Sequence, residues 1–300
     1  MILDGQVVSQ SIQTRLQSEI VELTARAGRA PGLAVILVGE NPASQAYVGM
    51  KKKACERVGV ASFEFRVEAD YGEDKLISLI ENLNNREDID GILLQLPLPL
   101  GQGYDEDKLL QIIDPDKDVD GFHPSNVGKL FLGLPTFWPC TPYGVIELLK
   151  YYQIPVEGRH VVIVGRSHIV GKPLAGLFLQ KASWANATVT VCHSKSQNLS
   201  EITKQADILI AAIGQPGFVT ADMVRPDAVV VDVGINRVVD AEASRGYRLV
   251  GDVDYDAVAP LASAITPVPG GVGPMTIAML LSNTVLSFKR RQGMVNEVSE

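Results

Sequence analysis

Residues 160–173 read HVVIVGRSHIVGKP: a short apolar run, a turn that begins at a glycine, and a helix start near a second glycine. The run of β-branched residues predicts a strand buried on both faces, as in parallel sheets covered by helices. A helix that starts directly after such a strand offers free backbone N–H groups to an anion. The stretch therefore predicts an α/β fold and marks this turn as a candidate phosphate site.

Strands and helices are predicted to alternate along the chain. Short apolar runs predict strands, and apolar residues three or four positions apart predict helices. The predicted strands are residues 33–38, 62–67, 91–95, 160–164, 187–191, 207–213 and 228–233. The predicted helices are residues 8–27, 42–58, 74–83 and 141–151, the last with Thr141 as its N-cap and Pro142 at its first position. This alternation predicts parallel sheets of the α/β class.

Length and charge limit the classes of protein. A chain of 300 residues permits one large or two ordinary domains. Prolines and glycines interrupt the pattern between residues 97 and 142, which predicts a domain boundary there. With 27 Lys+Arg against 35 Asp+Glu, the net charge is −8. The chain lacks the basic surplus of a general nucleic-acid-binding protein, so no nucleic-acid partner is predicted.

The cysteines and the chain start indicate the compartment. Cys55, Cys140 and Cys192 have no paired spacing for zinc and are too few for a disulfide framework, which favours a reducing environment. The first residues show neither a secretory signal nor an Arg-rich transit peptide, which predicts a cytoplasmic location. The apolar residues 275–288 fall short of the ~20 that a membrane helix needs. We predict a buried helix there and no membrane partner.

The turn after residue 164 departs from the dinucleotide pattern G-x-G-x-x-G. Ser167 stands where the second glycine belongs, and Gly171 comes one residue late. A dinucleotide site and an ordinary strand-to-helix turn therefore both remain open. An NAD site usually has an acidic residue after the next strand, whereas here Ser194 and Lys195 follow it. Together with Arg166 they favour the 2′-phosphate of NADP.

A candidate catalytic face lies on the predicted helix 42–58. Ser44, Tyr47, Lys51 and Cys55 are three or four residues apart and share one side of that helix. The two lysines after Lys51 turn away by about 100° per residue. The competing interpretation is a solvated lysine run with an ordinary core tyrosine.

Four further polar or loop features are candidates for function. Gln95 ends an apolar strand and needs hydrogen-bond partners if it is buried. The acidic run 114–120 lacks the ligand spacing of a calcium loop, and no metal site is predicted. Residues 267–274 hold three prolines and three glycines, which favours a shaped ligand loop over a structural crossing between domains. Gly214 and Gly234 follow later strands. Open α/β sheets bind ligands at such strand ends, but either glycine fits an ordinary turn as well.

Taken together, these segments resemble the bifunctional methylenetetrahydrofolate dehydrogenase/cyclohydrolase family. The matching stretches include PASQAYVGMKKKACERVG, DGILLQLPLP, KDVDGFHP, CTPYGV, VVIVGRSHIVGKP, TVCHSK, VDVGINR, GDV and TPVPGGVGPMT. The resemblance implies a folate-binding catalytic domain at residues 1–140, with helix 275–293 packing back on it. It also implies a Rossmann-type NADP domain at residues 141–274 and a cleft between the two. Segment 180–186 is longer than is usual in the family.

The resemblance further implies two reactions and a set of site residues. Hydride would pass from 5,10-methylenetetrahydrofolate to NADP, and water would then open the methenyl product to 10-formyltetrahydrofolate. Lys51 would be the reactive lysine, tuned by Gln95, with Tyr47 stacking on the folate ring and Asp120 binding the pterin edge. Pro267, Gly270 and Gly271 would border the pterin and the nicotinamide. The implied cofactor contacts are Gly165, Arg166, Ser167, Ile169, Ser194, Gly214, Ile235 and Thr276.

A homodimer is also implied by the resemblance. The alternative from another class is a dinucleotide-sensing or scaffolding protein that binds the cofactor without turnover. Erosion around Tyr47 and Lys51 would favour that alternative, and the sequence shows none.

Overall fold

A computed structural model describes residues 1–240, 242–243 and 246–295. The chain forms two compact units. The first unit contains residues 10–140 and the described residues from 277 onward, and the second contains residues 1–9 and 141–276. Residues 1–9 were expected in the first domain, but their backbone hydrogen bonds join them to the second unit. Leu3 N donates to Ile265 O at 2.8 Å, and Gly5 N donates to Gly270 O at 2.9 Å.

The first unit is built on a three-stranded parallel sheet in the order β2-β1-β3. Its strands are β1 (Gly32–Val38), β2 (Ala61–Val67) and β3 (Gly91–Leu94). Its helices are α1 (Gly5–Ala27, which begins in the second unit), α2 (Pro42–Val58), α3 (Glu73–Asn84), α4 (Glu106–Ile112) and α5 (Pro124–Leu132). Every residue of the central strand β1 is buried, as its unbroken apolar run predicts.

The second unit contains a doubly wound parallel sheet in the order β10-β7-β6-β4-β5. Its strands are β4 (His160–Val164), β5 (Thr188–Cys192), β6 (Ile208–Ala211), β7 (Val229–Asp232) and β10 (Ala264–Ile265), and its helices are α6 (Cys140–Tyr151), α7 (Gly171–Phe178), α8 (Leu199–Thr203) and α9 (Tyr255–Val258). Because β5 and β6 lie on opposite sides of β4, the strand order reverses there. Ligands of open α/β sheets bind outside the strand ends at such a reversal.

A short antiparallel hairpin, β8 (Asn236–Val239) with β9 (Tyr247–Val250), was not predicted from the sequence. Its strands have only four residues each, too few for a clear alternation of apolar and polar positions. The predicted parallel α/β class is confirmed in both units.

The predicted start of the connecting helix was wrong. Helix α6 begins at Cys140, so Thr141 and Pro142 both lie in its first turn. The Thr141 hydroxyl pairs with the hydroxyl of Thr276 at 2.9 Å instead of capping the helix. Proline is still accommodated there, because the first-turn N–H groups of a helix have no acceptor within it.

The last helix, α10 (Val272–Arg291), joins the first unit through a ladder of polar side chains. Asn283 donates to the carbonyl of Val119 at 2.8 Å, Ser287 donates to the carbonyl of Asp116 at 2.8 Å, and Arg291 pairs with Asp90 at 2.8 Å. These three side chains are four residues apart and therefore share one helix face. Among the described residues, no helix has the length and apolar character required to cross a membrane.

Candidate active site

Lys51 is buried on α2, with only 8% of its surface exposed. Asn41 caps this helix by accepting from Ala43 N and Ser44 N, Pro42 occupies the first position, and the predicted bounds 42–58 are observed. The helix phase points Lys51 inward, whereas Lys52 and Lys53 are exposed. The interpretation of the lysine run as a uniformly solvated face was therefore wrong for its first member.

The ammonium of Lys51 is held by Gln95, which directly follows β3. Lys51 Nζ donates to Gln95 Oε1 at 2.9 Å, and Gln95 Nε2 donates to the carbonyl of Leu96 at 2.7 Å. The second bond fixes the amide so that its oxygen faces the lysine. Gln95 is half-buried, and both ends of its amide have hydrogen-bond partners.

The environment of Lys51 favours the neutral amine more than the environment of a surface lysine does. Burial lowers the pKa of Lys51, and the nearby Asp120 carboxylate opposes that change. Burial likewise raises the pKa of Asp120, and the charge of Lys51 opposes that rise. The charge of each group therefore limits the pKa shift that burial causes in the other. The two side chains, 69 residues apart in sequence, therefore influence each other's protonation.

Asp120 lies in a turn whose backbone is held by the carboxylate of Asp118. Asp118, 1% exposed, accepts from the amides of Gly121 at 3.1 Å, Phe122 at 3.2 Å and His123 at 2.7 Å. From sequence, Asp118 is one member of an acidic run, with no predicted role. Its local signal was an Asp followed within five residues by a glycine turn, which is typical of side-chain acceptance by backbone amides.

Two cysteines lie beside Lys51 and remain protonated thiols. Burial raises the pKa of Cys55 to about 12 and raises the pKa of Cys140 well above the ordinary thiol value. A thiolate is the reactive form of cysteine, so neither side chain is poised as a nucleophile. Tyr47 lies one helical turn before Lys51 and is partly exposed, the position from which a ring can contact a ligand.

The turn after β4 forms an anion cradle in the second unit. The amides of Arg166, Ser167 and His168 donate to no acceptor within the part of the chain described here. Ser167 Oγ accepts from Val170 N at 3.1 Å, which shapes the entry into α7. Three successive amides at a strand's carboxyl end and ahead of a helix fit a bound phosphate.

Two glycines make this cradle possible. Gly165 has φ +135°, and a Cβ there would lie 2.1 Å from the carbonyl oxygen of Ala212. A Cβ on Gly171 would lie 2.1 Å from the carbonyl oxygen of Gly165. The late position of Gly171 thus preserves the close strand-to-helix approach that the third glycine of the usual motif provides.

The candidates for the 2′-phosphate lie at adjacent strand ends. Gly165 N donates to Cys192 O at 2.9 Å, which brings the ends of β4 and β5 together. Arg166 follows the first of these ends, Ser194 and Lys195 follow the second, and all three are exposed. The residues present therefore fit a phosphorylated ribose.

The remaining predicted cofactor and substrate residues lie at other strand ends of the second unit. Gly214 follows β6 with φ +75°, and Ile235 follows β7 with 39% of its surface exposed. The loop after β10 contains Pro267, Gly270 and Gly271 and leads into α10, whose fifth residue is Thr276. Ile169, in the turn before α7, is 43% exposed.

Comparison with known proteins agrees with this arrangement. The family model "Tetrahydrofolate dehydrogenase/cyclohydrolase, catalytic domain" matches residues 3–120, and the corresponding "NAD(P)-binding domain" matches residues 139–292. Bifunctional protein FolD of Chlorobium chlorochromatii is 55% identical over 98% of this chain and 100% of its own. FolD of Desulfovibrio desulfuricans is 55% identical over 97% of this chain and 99% of its own.

Solved structures show the same fold. The bifunctional FolD of Campylobacter jejuni has a TM-score of 0.90 and 49% identity, covering 97% of this chain and 99% of its own. A Trypanosoma brucei methylenetetrahydrofolate dehydrogenase-cyclohydrolase, solved with NADP cofactor and inhibitor, has a TM-score of 0.91 and 40% identity, covering 97% of both chains.

The fold and the cradle together define a two-domain α/β oxidoreductase with an NAD(P)-binding domain. The chain belongs to the tetrahydrofolate dehydrogenase/cyclohydrolase family. It is a bifunctional enzyme with NADP as its cofactor, and the alternative of a non-catalytic sensor or scaffold is not favoured.

Proposed function

We propose that this chain oxidises 5,10-methylenetetrahydrofolate with NADP and hydrolyses the methenyl product to 10-formyltetrahydrofolate by means of Lys51, Gln95, Asp120 and Tyr47. The observation that carries the proposal is the buried Lys51–Gln95 hydrogen bond of 2.9 Å beside Asp120. A solvated lysine would keep a pKa near 10.4 and would serve poorly as a base at neutral pH. Burial gives this lysine the lowered pKa that an acid–base role needs.

In the hydrolytic step, the neutral amine of Lys51 orients water and accepts its proton as the water oxygen adds to the methenyl carbon. The resulting ammonium then gives a proton to the departing ring nitrogen as the C–N bond breaks, and the hydroxyl proton of the adduct is released to solvent as the formyl C=O bond forms. The cationic substrate favours the neutral lysine further, because a like charge lowers a lysine pKa. Gln95 keeps the amine aimed at one position, and such positioning accounts for part of the rate gain.

Folate recognition in the first unit is assigned to Tyr47 and Asp120. The carboxylate of Asp120 accepts from the N–H groups of the pterin edge, and Tyr47 offers its ring for stacking. The turn held by Asp118 supports this assignment, since it fixes the backbone that carries Asp120.

NADP supplies the hydride acceptor when it is bound. The cradle amides and Arg166, Ser167 and Ser194 hold the phosphorylated half of the cofactor. The other half rests on residues at the ends of β6 and β7 and on the start of α10, namely Gly214, Ile235 and Thr276. Hydride transfer needs no protein base, so these residues act by positioning.

The direct test is to incubate the enzyme with 5,10-methylenetetrahydrofolate and either NADP or NAD while following the absorbance of the methenyl product. With NADP, we expect this absorbance to rise and then to decay as 10-formyltetrahydrofolate forms. Absence of any signal with either cofactor would refute the proposed function.

Asp120→Ala is expected to weaken folate binding with little effect on NADP affinity. Losing hydrogen bonds to a charged group costs about 1.5–3 kcal/mol, which corresponds to roughly a 10- to 150-fold rise in the folate Kd. Asp116→Ala is the matched control, because Asp116 is exposed and lies in the same acidic run. Calorimetric titration with tetrahydrofolate measures both variants, and equal affinity of D120A and D116A would remove Asp120 from the pterin site.

We also propose that the enzyme is a cytoplasmic homodimer. Membership of the family supports the dimer, and the three free, buried cysteines agree with a reducing compartment. Light scattering is expected to give about twice the chain mass of 32.4 kDa. A mass of one chain at micromolar concentration would contradict the dimer.

A further inference from the structure

Two buried carboxylates, Asp232 and Asp252, connect strand ends of the second unit. Their exposed fractions are 3% and 0%. Asp232 is the last residue of β7, and Asp252 follows β9. Neither makes an ion pair within the described part of the chain. Burying charge without a cation is costly unless hydrogen bonds replace the lost water.

Backbone and amide N–H groups supply that replacement. Asp232 accepts from the amides of Gly234, Asp252 and Val253, each at 2.9 Å. Burial raises the pKa of Asp232 to about 6, so its carboxylate is largely ionised at pH 7. Asp232 thereby fixes both the turn that follows β7 and the backbone of Asp252.

Asp252 in turn reaches the end of β6. Its Oδ2 accepts from Ile213 N at 2.6 Å and from Gly214 N at 2.9 Å, while its Oδ1 accepts from Asn236 Nδ2 at 2.9 Å. The two carboxylates therefore hold the turn after β6 and the turn after β7 in one hydrogen-bonded unit.

Glycine makes room for both carboxylates. A Cβ on Gly251 would lie 1.8 Å from Asp232 Oδ2, and a Cβ on Gly234 would lie 2.2 Å from Asp252 Oδ1. From sequence, Gly234 is either a ligand-contacting or an ordinary turn glycine. In the structure, the absence of a Cβ at Gly234 leaves room for the carboxylate of Asp252, so Gly234 belongs to this hydrogen-bonded unit.

We propose that the Asp232–Asp252 pair positions the turns at Gly214 and Ile235 for the nicotinamide half of NADP. The inference rests on the proposed cofactor contacts of those two residues. A dinucleotide lies across the strand reversal of such a sheet. Since Arg166 and Ser194 occupy the β4–β5 side, the β6–β7 side receives the other half. Neither carboxylate is assigned a contact with the cofactor, so both are positioning residues.

The first test variant is Asp252→Asn. The new amide can still accept from Ile213 and Gly214 through its oxygen, but its NH₂ group then faces the NH₂ group of Asn236. Asn236 can restore this bond only by rotating its own amide, and a neutral amide oxygen accepts from Ile213 N and Gly214 N more weakly than the carboxylate does, so the turn is held less firmly. The second variant, Asp252→Asn combined with Asn236→Asp, reverses donor and acceptor and restores both the bond and the net charge.

Cyclohydrolase activity on methenyltetrahydrofolate without NADP is the internal control, because it does not use the cofactor. For D252N we expect the NADP Kd and the dehydrogenase KM for NADP to rise by about tenfold, with hydrolysis unchanged. The double variant D252N/N236D should recover most of the NADP affinity. Asp256→Asn, at an exposed position nearby, should match the wild-type enzyme throughout.

Two results would overturn the inference. One is wild-type NADP affinity in D252N together with faster amide hydrogen exchange at residues 213–214, which would mean that the turn loosens without consequence for the cofactor. The other is parallel loss of hydrolysis and NADP binding in D252N that the double variant does not reverse, which would indicate a purely structural role. In both cases the wild-type enzyme still turns over, whereas failure of the proposed function would appear as absent methenyl formation in the wild-type enzyme itself.

Discussion

Lys51→Met should reduce the kcat of methenyltetrahydrofolate hydrolysis by about 10²- to 10⁴-fold, the usual contribution of a positioned acid–base group. Methionine retains the length of the lysine stem but can neither accept nor return a proton. NADP affinity should be unchanged, because the cradle lies in the second unit. Stopped hydrolysis should make the methenyl product accumulate in the coupled assay, so the two activities separate in a single absorbance trace.

Lys52→Met is the matched control for this experiment. It removes the same charge from the same helix, one position further along, at an exposed site. We expect hydrolysis by K52M to match that of the wild-type enzyme. Normal hydrolysis by K51M, or an equal loss in K51M and K52M, would refute the role of Lys51.

The substitution Lys51→Met should also change how the free energy of unfolding depends on pH. Burial lowers the pKa of Lys51 in the folded state, so between that pKa and about 10.4 the unfolded chain binds more protons than the folded one. The free energy of unfolding therefore rises with pH across this window, and below it the buried ammonium destabilises the fold. The free energy of unfolding of K51M should therefore depend less on pH in this window than that of the wild-type enzyme. Thermal unfolding of both proteins, followed across that pH range, measures this dependence.

Arg166→Ala should weaken NADP binding far more than NAD binding. A guanidinium makes charge-assisted hydrogen bonds to phosphate worth about 1.5–3 kcal/mol, so the NADP Kd should rise roughly 10- to 150-fold. NAD lacks the 2′-phosphate and should lose little affinity. Calorimetric titration with each cofactor measures the ratio directly, and raising the salt concentration should reduce the difference between wild type and variant.

The control for this variant is Arg159→Ala. Arg159 is exposed and directly precedes β4, whereas Arg166 follows that strand, so the two arginines flank opposite ends of one element. R159A should bind both cofactors like the wild-type enzyme. Equal losses of NADP and NAD affinity in R166A would show that Arg166 supports the shape of the turn and does not recognise the phosphate.

Features that depend on neighbouring residues could be predicted from the sequence. Helix α2 follows from a capping asparagine, a proline at the first position and a terminal glycine, and the inward direction of Lys51 follows from the helical period. Strands β1 and β4 follow from apolar runs bounded by turns. The cofactor turn was recognisable although its glycine spacing is irregular.

Features that depend on partners distant in sequence could not be predicted. Asp90 is buried because Arg29 and Arg291 both bond its carboxylate, and no local pattern connects these three positions. Asp232 and Asp252 are 20 residues apart, and their partners are mostly backbone amides, which leave no trace in residue type. The pairing of residues 1–3 with the β10 edge is too short to produce a strand pattern.

The polar ladder of α10 has a consequence for how the chain is made. Each compact unit is encoded in two separated pieces, so neither is complete when the first half of the chain leaves the ribosome. The buried carboxylate of Asp90 is synthesised 201 residues before Arg291, one of its two cationic partners. Until the final helix emerges, the nascent catalytic unit contains an incompletely neutralised interior charge. The emergence of α10 thus decides when the first sheet becomes stably enclosed, and removing this helix would destabilise the unit whose first strands were synthesised much earlier.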